Sequence, residues 1–339
     1  MSSIKQLLPA AKYFKANLHT HSTITDGKFS PAELKELYKK HGYQILAITD
    51  HNVVVDHSAL NDADFLLLTA GEFGISEAGQ NSMYKKSYHL NLISRKPDNL
   101  WQPTLPKKPR EVTLPYLALV ESPDMEQRYD PEQINEIIAQ CNDHDFLVMY
   151  NHPNWSLQDY TDYAPLKGLW AMEICNYSCL YTGRDPYSAW VYRDMLALGN
   201  RLFPVGSDDM HTIKGHAGAW IMVGAEALTY ERVIRALEKG DFYASTGPEI
   251  HSLTLDGSQL KITCSDARSV ALESDCRFVQ QVMPEHNATL LREASFDLTP
   301  WMEASQASGR AEEAYIRLTV YDPYGDRAYT RAFYLRELV

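Results

Sequence analysis

Long apolar runs are missing from this chain. The longest, such as 64–70 and 220–223, fall far short of the roughly 20 apolar residues that a membrane-crossing helix needs, so no such segment is expected. Residues 1–13 lack a basic stretch followed by an apolar core and a small-residue cleavage site, which predicts no secretory signal. Cysteine is scarce, 5 in 339 residues, and the five (Cys141, Cys175, Cys179, Cys264, Cys276) are scattered. An odd, dispersed set argues against a disulfide framework and for reduced thiols in a cytoplasm. Cys175 and Cys179 lie close together, but no second pair answers them as a cysteine-based zinc site would require. Positive charge is also short, with 32 Lys+Arg against 44 Asp+Glu and a net charge of -12. That balance argues against a protein that grips long nucleic acid by its phosphates. Small anionic substrates stay open, because bound cations can reverse the field locally. No solenoid-period repeat and no low-complexity tract are present, and nothing in the sequence speaks to oligomeric state.

What the chain does contain is an alternation of strand-like and helix-like runs. Strands are expected at 15–21, 44–51, 65–73, 88–94, 146–152, 169–175 and 202–208, with 219–223 near the closure. Their Ile, Leu, Val and Phe content without strict polar alternation suits strands covered on both faces. Ser30-Pro31-Ala32-Glu33 reads as a capping box with proline at the first helical position, and Gly42 as the stop. Asp130-Pro131, Asp185-Pro186 and Thr229 open three further helices, the last ending at Gly240. Strands separated by helices predict an α/β class, with a parallel barrel of about seven strands or a doubly wound sheet. One segment, 95–130, breaks the rhythm with six prolines and the cations Lys107, Lys108 and Arg110. So long a connection is read either as a lid or as a packed surface insertion. After Gly247 the pattern becomes two hairpins, one around Asp256-Gly257 and one around Asp322-Pro323-Tyr324-Gly325. The expected organisation is therefore a large domain over 1–247 and a small antiparallel β-sandwich over 248–339.

Metal-capable side chains recur at the ends of these strands. The first gives His19 and His21, with Asp26 just beyond; the second Asp50-His51; the third Glu72; the fourth begins at His89; the fifth ends in His152; the sixth carries Glu173; the seventh ends Ser207-Asp208-Asp209-Met210-His211. In a parallel barrel the carboxyl ends of strands converge on one face, so such residues would meet. Six of the 12 histidines fall at these positions. Imidazole and carboxylate together suit zinc, manganese or iron, and the number of donors exceeds what one four-coordinate ion needs, pointing to two or three divalent ions. His216, in Gly215-His216-Ala217-Gly218, is close enough to the last cluster to touch substrate.

The pieces Asn17-Leu-His19-Thr-His21-Ser22, Ile48-Thr49-Asp50-His51, Gly71-Glu72, Asn151-His152-Pro153 and Ser207-Asp208-Asp209-Met210-His211 resemble the successive motifs of the PHP (polymerase and histidinol phosphatase) superfamily, over about residues 15–225. The segment from Gly240 to Pro248 followed by a β-domain resembles the carbaryl-hydrolase-like subgroup. The resemblance implies a distorted (β/α)7 barrel with a trinuclear centre. By matching position, His19, His21, Glu72 and Asp209 would hold the first metal, Glu72, His89 and His152 the second, and Asp26, His51 and His211 the third. Asp50 would orient its neighbours. Asp209 is preferred to Asp208 because Asp209-x-His211 gives both residues one strand face.

The implied chemistry is hydrolysis by water activated between metals, most simply of a phosphoester in a small phosphorylated metabolite or nucleotide. His211 or His216, or a metal-bound water, would protonate the leaving group. Lys28, Arg184 or Lys214 could clamp phosphate, and Trp155, Tyr177 and Tyr181 could stack on a base or sugar. Two rivals stand beside it: a carbamate, ester or amide hydrolase using the same metals, and a metal-retaining binding module without turnover.

Overall fold

The computed structural model describes residues 4–9, 12–286 and 289–339; part of the N-terminal stretch 1–13 lies outside them. The chain is a mixed α/β protein, with three hydrogen-bonded sheets among the described residues. Its first ten labelled strands are β1 (Lys12–Asn17), β2 (Ile45–Ala47), β3 (Leu66–Leu68), β4 (Ala70–Ser76), β5 (Ser87–Ser94), β6 (Phe146–Tyr150), β7 (Ala171–Asn176), β8 (Phe203–Ser207), β9 (Trp220–Ala225) and β10 (Phe242–Ser245). Strands β1, β2 and β3 run parallel. On the other side of β1 come β9 and β10, both antiparallel to their neighbours. Strands β4 to β8 form a second sheet, antiparallel through β4–β5–β6 and parallel through β6–β7–β8.

The expected parallel ladder is thus interrupted, and the two sheets do not close into one hydrogen-bonded barrel. Two local causes are visible. The run 65–73, read as one strand, breaks at Thr69, whose hydroxyl donates to the Pro97 carbonyl at 2.6 Å. Its first half pairs with β2 and its second half turns into the other sheet. The link from β4 to β5 is a hairpin, Ser76 facing Ser87, because 77–86 carries no apolar helical stripe to make a crossover. The sheets meet through isolated bridges, Thr20 to Met210 and His51 to Glu72. Strand-end residues are therefore at the seam.

The helices follow their capping signals. Ser30 caps Pro31–Lys40 with the full reciprocal box, and Asp130 caps Pro131–Asp143. Thr229 caps Tyr230–Lys239, which ends on left-handed Gly240. Asp185-Pro186 does not open a helix. The Pro186 carbonyl accepts from Asn176 N at 2.9 Å, and the helix begins at Ala189. The segment 95–130 is anchored to the frame. Gln102 accepts from Val54 N and donates to the carbonyls of Asn52 and Thr104. Thr113 donates to the Ile24 carbonyl, and Tyr116 and Leu117 pack on Ile24, Val53 and Val55.

Beyond β10, strands Ile250–Asp256, Gln259–Ala267 and Leu291–Asp297 form a sheet whose edge is the short N-terminal strand Lys5–Gln6. The hairpin at Asp256-Gly257 has Leu255 opposite Leu260, as the pattern predicts. The partner layer, Ser269–Ser274, Val279–Val282, Tyr315–Tyr321 and Arg327–Tyr329, is continuous with β10. Leu253, Ile262, Leu272, Phe296, Trp301, Leu318 and Phe333 share the core between them. Alternation along Tyr315–Tyr321 marks Arg317 and Thr319 as the outer face, yet both are buried. That face is covered as well: the Arg317 guanidinium lies over Tyr192 of the helix Ala189–Ala197 and pairs with Glu273 at 2.8 Å.

Candidate metal centre

His19 and His21 stand just past the end of β1, and the chain then turns so tightly that a Cβ on Gly27 would sit 2.1 Å from the His21 carbonyl oxygen. That turn carries Asp26 back toward His21, at 3.9 Å. It is fastened by Asp50, which accepts from Ser22 N, Ser22 Oγ and Thr25 Oγ1. Asp50 therefore shapes the turn and does not face the cluster.

Glu72, at the seam and fully buried, is the hub. Its carboxylate lies 3.0 Å from His51 Nδ1, 3.0 Å from His89 Nδ1, 3.2 Å from His19 Nε2 and 3.3 Å from His152 Nε2. Asp209 Oδ1 lies 3.1 Å from His21 Nε2 and 3.3 Å from His19 Nε2. Farther out, Asp26 Oδ2 is 3.5 Å from both His51 and His211. All nine residues read as ligands thus meet in space. They fall into four overlapping groups: His21/Asp26/His51/His211, His19/His152/Asp209, His19/His21/Glu72 and His51/Glu72/His89. His89 is grouped with His51 here, a combination the motif order does not suggest.

Two of these positions depend on backbone that alternation cannot describe. His152 and Asp209 have φ of 25° and 52°, values side-chain-bearing residues seldom adopt. Strand β8 ends at Ser207, and the left-handed turn at Asp209 aims its carboxylate into the cluster. Asp208 is engaged elsewhere: it accepts from Tyr38 and from the N–H groups of Ala217, Gly218 and Ala219. The orientation of Asp209 therefore comes from this turn and not from strand periodicity.

Around the cluster are residues the motif reading underweighted. Glu173 takes His19 Nδ1 at 2.7 Å and also accepts from Ser207, His152 N and Asn176. This fixes His19 so that Nε2 faces Glu72 and Asp209, the carboxylate–histidine arrangement usual behind metal-ligating imidazoles. Asn151 donates to Glu72 at 2.8 Å and to Asn91 at 2.9 Å. A carboxylate inside a β-run, as Glu173 is, was the available signal. His216 is not brought to the cluster; it pairs with His41 at 3.1 Å. Tyr177 packs over Gly218, where a Cβ would meet its ring at 2.2 Å. Trp155 stays open to solvent with its ring 5.7 Å from His89 and 5.3 Å from His152. The cations that line the pocket beside Asp26 and His51 are Lys108 and Arg110, not Lys28, Arg184 or Lys214.

The electrostatics fit a cation site. Burial alone would raise the Glu72 carboxyl, but the surrounding histidines, His89 and His19 foremost, hold it well below the usual range. Burial works against protonated His51, yet Asp26 and Glu72 push it up to about 10. Burial, with His51 and His211 nearby, drives His21 down to about 4. His21 Nδ1 is buried without a hydrogen-bond partner, a costly state for a polar atom, and Glu72 Oε2 has only imidazoles for neighbours, His51 Nδ1 at 3.0 Å and His21 Nε2 at 3.5 Å. A neutral imidazole and carboxylate oxygens crowded together form a donor set that matches divalent transition metals.

No family model matches the chain. Over 38 residues it is 55% identical to the DNA polymerase/3'-5' exonuclease PolX of Bacillus subtilis (strain 168), a stretch that is 11% of this chain and only 7% of that protein. Among solved structures it is similar to a two-domain protein from Bacteroides vulgatus described as containing a predicted PHP-like metal-dependent phosphoesterase, with 14% identity, a TM-score of 0.45 and 98% of each chain covered. It is also similar to the lesion-specific endonuclease PfuEndoQ from Pyrococcus furiosus, at 12% identity and a TM-score of 0.39 over 67% of this chain and 56% of that one. An amidohydrolase from Chromobacterium violaceum gives 14% identity and a TM-score of 0.36, over 67% and 96%. Likenesses this distant do not carry function with them, which must be read from the side chains of the site.

Proposed function

We propose that the protein is a metal-dependent hydrolase of the PHP type, acting as a phosphoesterase on a small phosphorylated metabolite or nucleotide. The observation that carries this reading is the ring of imidazoles and carboxylates about Glu72, whose donor atoms converge in four overlapping groups. In the proposed arrangement His19, His21, Glu72, His89, His152 and Asp209 hold a pair of ions, and Asp26, His51 and His211 a third. Zinc, manganese or iron bound there would lower the pKa of water and offset charge gathering on phosphoryl oxygens.

The chain's own groups supply the rest. Glu173 and Asn151 hold His19 and Glu72 in one orientation, so the inner donors need little reorganisation. His211, hydrogen-bonded through Nδ1 to the Asp209 carbonyl, turns Nε2 to within 3.5 Å of Asp26 Oδ2, as a ligand of the outer ion would, so a leaving oxygen would take its proton from water held at the site. The exposed Trp155 ring beside His89 and His152 offers an apolar wall to the leaving group. The net charge of -12 favours a small substrate over a long duplex. Among the described residues no helix is long and apolar enough to cross a membrane.

The test is hydrolysis of an aryl phosphate with added manganese or zinc, compared in wild type and a His19→Ala/His21→Ala variant. Metal-dependent turnover that the double variant loses supports the reading. Turnover that survives in the variant sinks the ligand assignment, and faster cleavage of an aryl carbamate than of the phosphate transfers the site to carbonyl chemistry.

A further inference from the structure

The insertion 95–130 contributes more than cover. Between it and the outer corner of the cluster lies an open pocket of about 290 Å3, bordered by Asp26, His51 and Asn52 on one side and Lys108, Arg110 and Thr113 on the other. That volume is at the small end of ligand sites, ~300–1,000 Å3, and suits one chemical group better than a polymer. The two hydroxyls at its wall are already committed, Thr25 to Asp50 and Thr113 to the Ile24 carbonyl. Asn52 accepts from Gly74 N at 3.3 Å, which leaves its NH2 free to donate. Lys108 and Arg110 are exposed, and among the described residues neither has an ion-pair partner. Two cations without an ion pair among the described residues thus face a pocket whose far wall holds Asp26, in a protein of net charge -12.

The loop that carries them is restrained. Pro106 and Pro109 flank Lys108 and fix φ locally. Gln102 pins the loop on one side to Asn52 and Val54, and Thr113 pins it on the other to Ile24. A ligand gripped there loses little to ordering the loop. The pocket borders the ring around Glu72 through His51, while Glu72 itself is fully buried beneath it. With the phosphoryl group hydrolysed at the donors about buried Glu72, the exposed Lys108 and Arg110 on the loop would meet a different part of the molecule.

We propose that Lys108 and Arg110 bind a second anionic group of the substrate, a phosphate or carboxylate away from the bond that is hydrolysed. The assignment rests on the phosphoesterase reading above and names the class of substrate: small esters carrying two anionic groups. Arginine supplies a planar fork for two acceptor oxygens and lysine a point charge.

The experiment compares kcat/KM for phenyl phosphate, for the same ester bearing a ring phosphate, and for the one bearing a ring carboxylate, in wild type and in Lys108→Ala/Arg110→Ala. Wild type should prefer a doubly anionic ester, and the better of the two identifies the group recognised. The variant should lose about 10–100-fold on that ester, mainly through KM, as expected for charge-assisted hydrogen bonds, and stay within about twofold of wild type on phenyl phosphate. No preference in wild type, or an equal loss on all three esters, overturns the proposal while leaving the phosphoesterase reading intact. If no phosphate ester is cleaved at all, that reading fails. The pocket is then judged by calorimetric titration of inorganic pyrophosphate: binding at least tenfold weaker in the variant supports the assignment, and equal affinity overturns it.

Discussion

Glu173 never reaches the mouth of the site, yet its carboxylate meets His19 Nδ1 at 2.7 Å and takes the His152 N–H at 2.9 Å. Glu173→Gln keeps the shape and removes the charge that favours the correct His19 tautomer. We expect metal affinity to fall ~10–100-fold with the fold intact, the usual cost of losing such a partner; metal content after dialysis and a circular dichroism spectrum check both halves. Gly27 makes a second residue-scale prediction. With its Cβ position 2.1 Å from the His21 carbonyl, Gly27→Ala must move the turn that carries Asp26. The outer group, His21/Asp26/His51/His211, should then lose its ion before the inner ones do. A stoichiometric metal titration reads this as one equivalent fewer at the weak end, and an unchanged titration would clear Gly27 of the role. Most of the cluster's side chains were legible as residue types: His-x-His, Asp-His and Glu after Gly needed only the sequence. The aim of His152 and Asp209 was not, because positive φ at a non-glycine is set by what surrounds it and not by the residue itself.

At the scale of elements, the insertion 95–130 is held by few but specific bonds. Thr113→Val removes the hydroxyl that donates to the Ile24 carbonyl at 2.7 Å and leaves that acceptor buried. A loss of about 1–3 kcal/mol is expected from one unsatisfied buried acceptor. It should be detectable as faster proteolysis within 95–130, with little change in the cleavage of the helix Pro131–Asp143. Capping chemistry made the helices readable in advance: Ser30-x-x-Glu33, Asp130-Pro131 and Thr229 each act within a few residues. Asp185-Pro186 carries the same local signal and does not start a helix, because the Pro186 carbonyl is taken by β7 through Asn176 N. Strand runs were readable as well, but their partners were not. Pairing joins residues distant in sequence, and the run 65–73 gives no hint that it passes from one sheet to another at Thr69.

For the whole molecule, the metal question is also a stability question. Ions that bind the folded chain and not the unfolded one add stability by mass action, about 2.7 kcal/mol when free metal stands 100-fold above Kd. Chelation should therefore lower Tm, and manganese or zinc should restore it in calorimetric scans. The sign of the pH effect follows from the site. His51 is pushed up to about 10 in the metal-free cluster by Asp26 and Glu72, against the effect of burial, so it carries a proton at neutral pH. A ligand imidazole must be neutral, so metal uptake releases protons and apparent affinity climbs as pH rises toward that value. Calorimetry in buffers of different ionisation enthalpy counts the protons; uptake without release would contradict the cluster's charge state. The same scale shows why the β-region after β10 is more than an appendage. Its central strand Tyr315–Tyr321 is covered on both faces, and Lys5–Gln6 at the chain's start supplies one of its edges.

The sequence by itself determined the α/β class, the helix ends, the hairpin at Asp256-Gly257 and the identity of the metal-capable residues. Each of these depends on chemistry acting over a few neighbours: capping, turn preference, hydrophobic period and donor atoms. Only the tertiary structure decided that the sheets stay open, that the metal-capable side chains gather at the seam around Glu72, that Asp209 and not Asp208 turns inward, that His216 stands aside with His41, and that Lys108 and Arg110 face the site. Those outcomes depend on which distant segments share space, and local sequence chemistry carries no record of that.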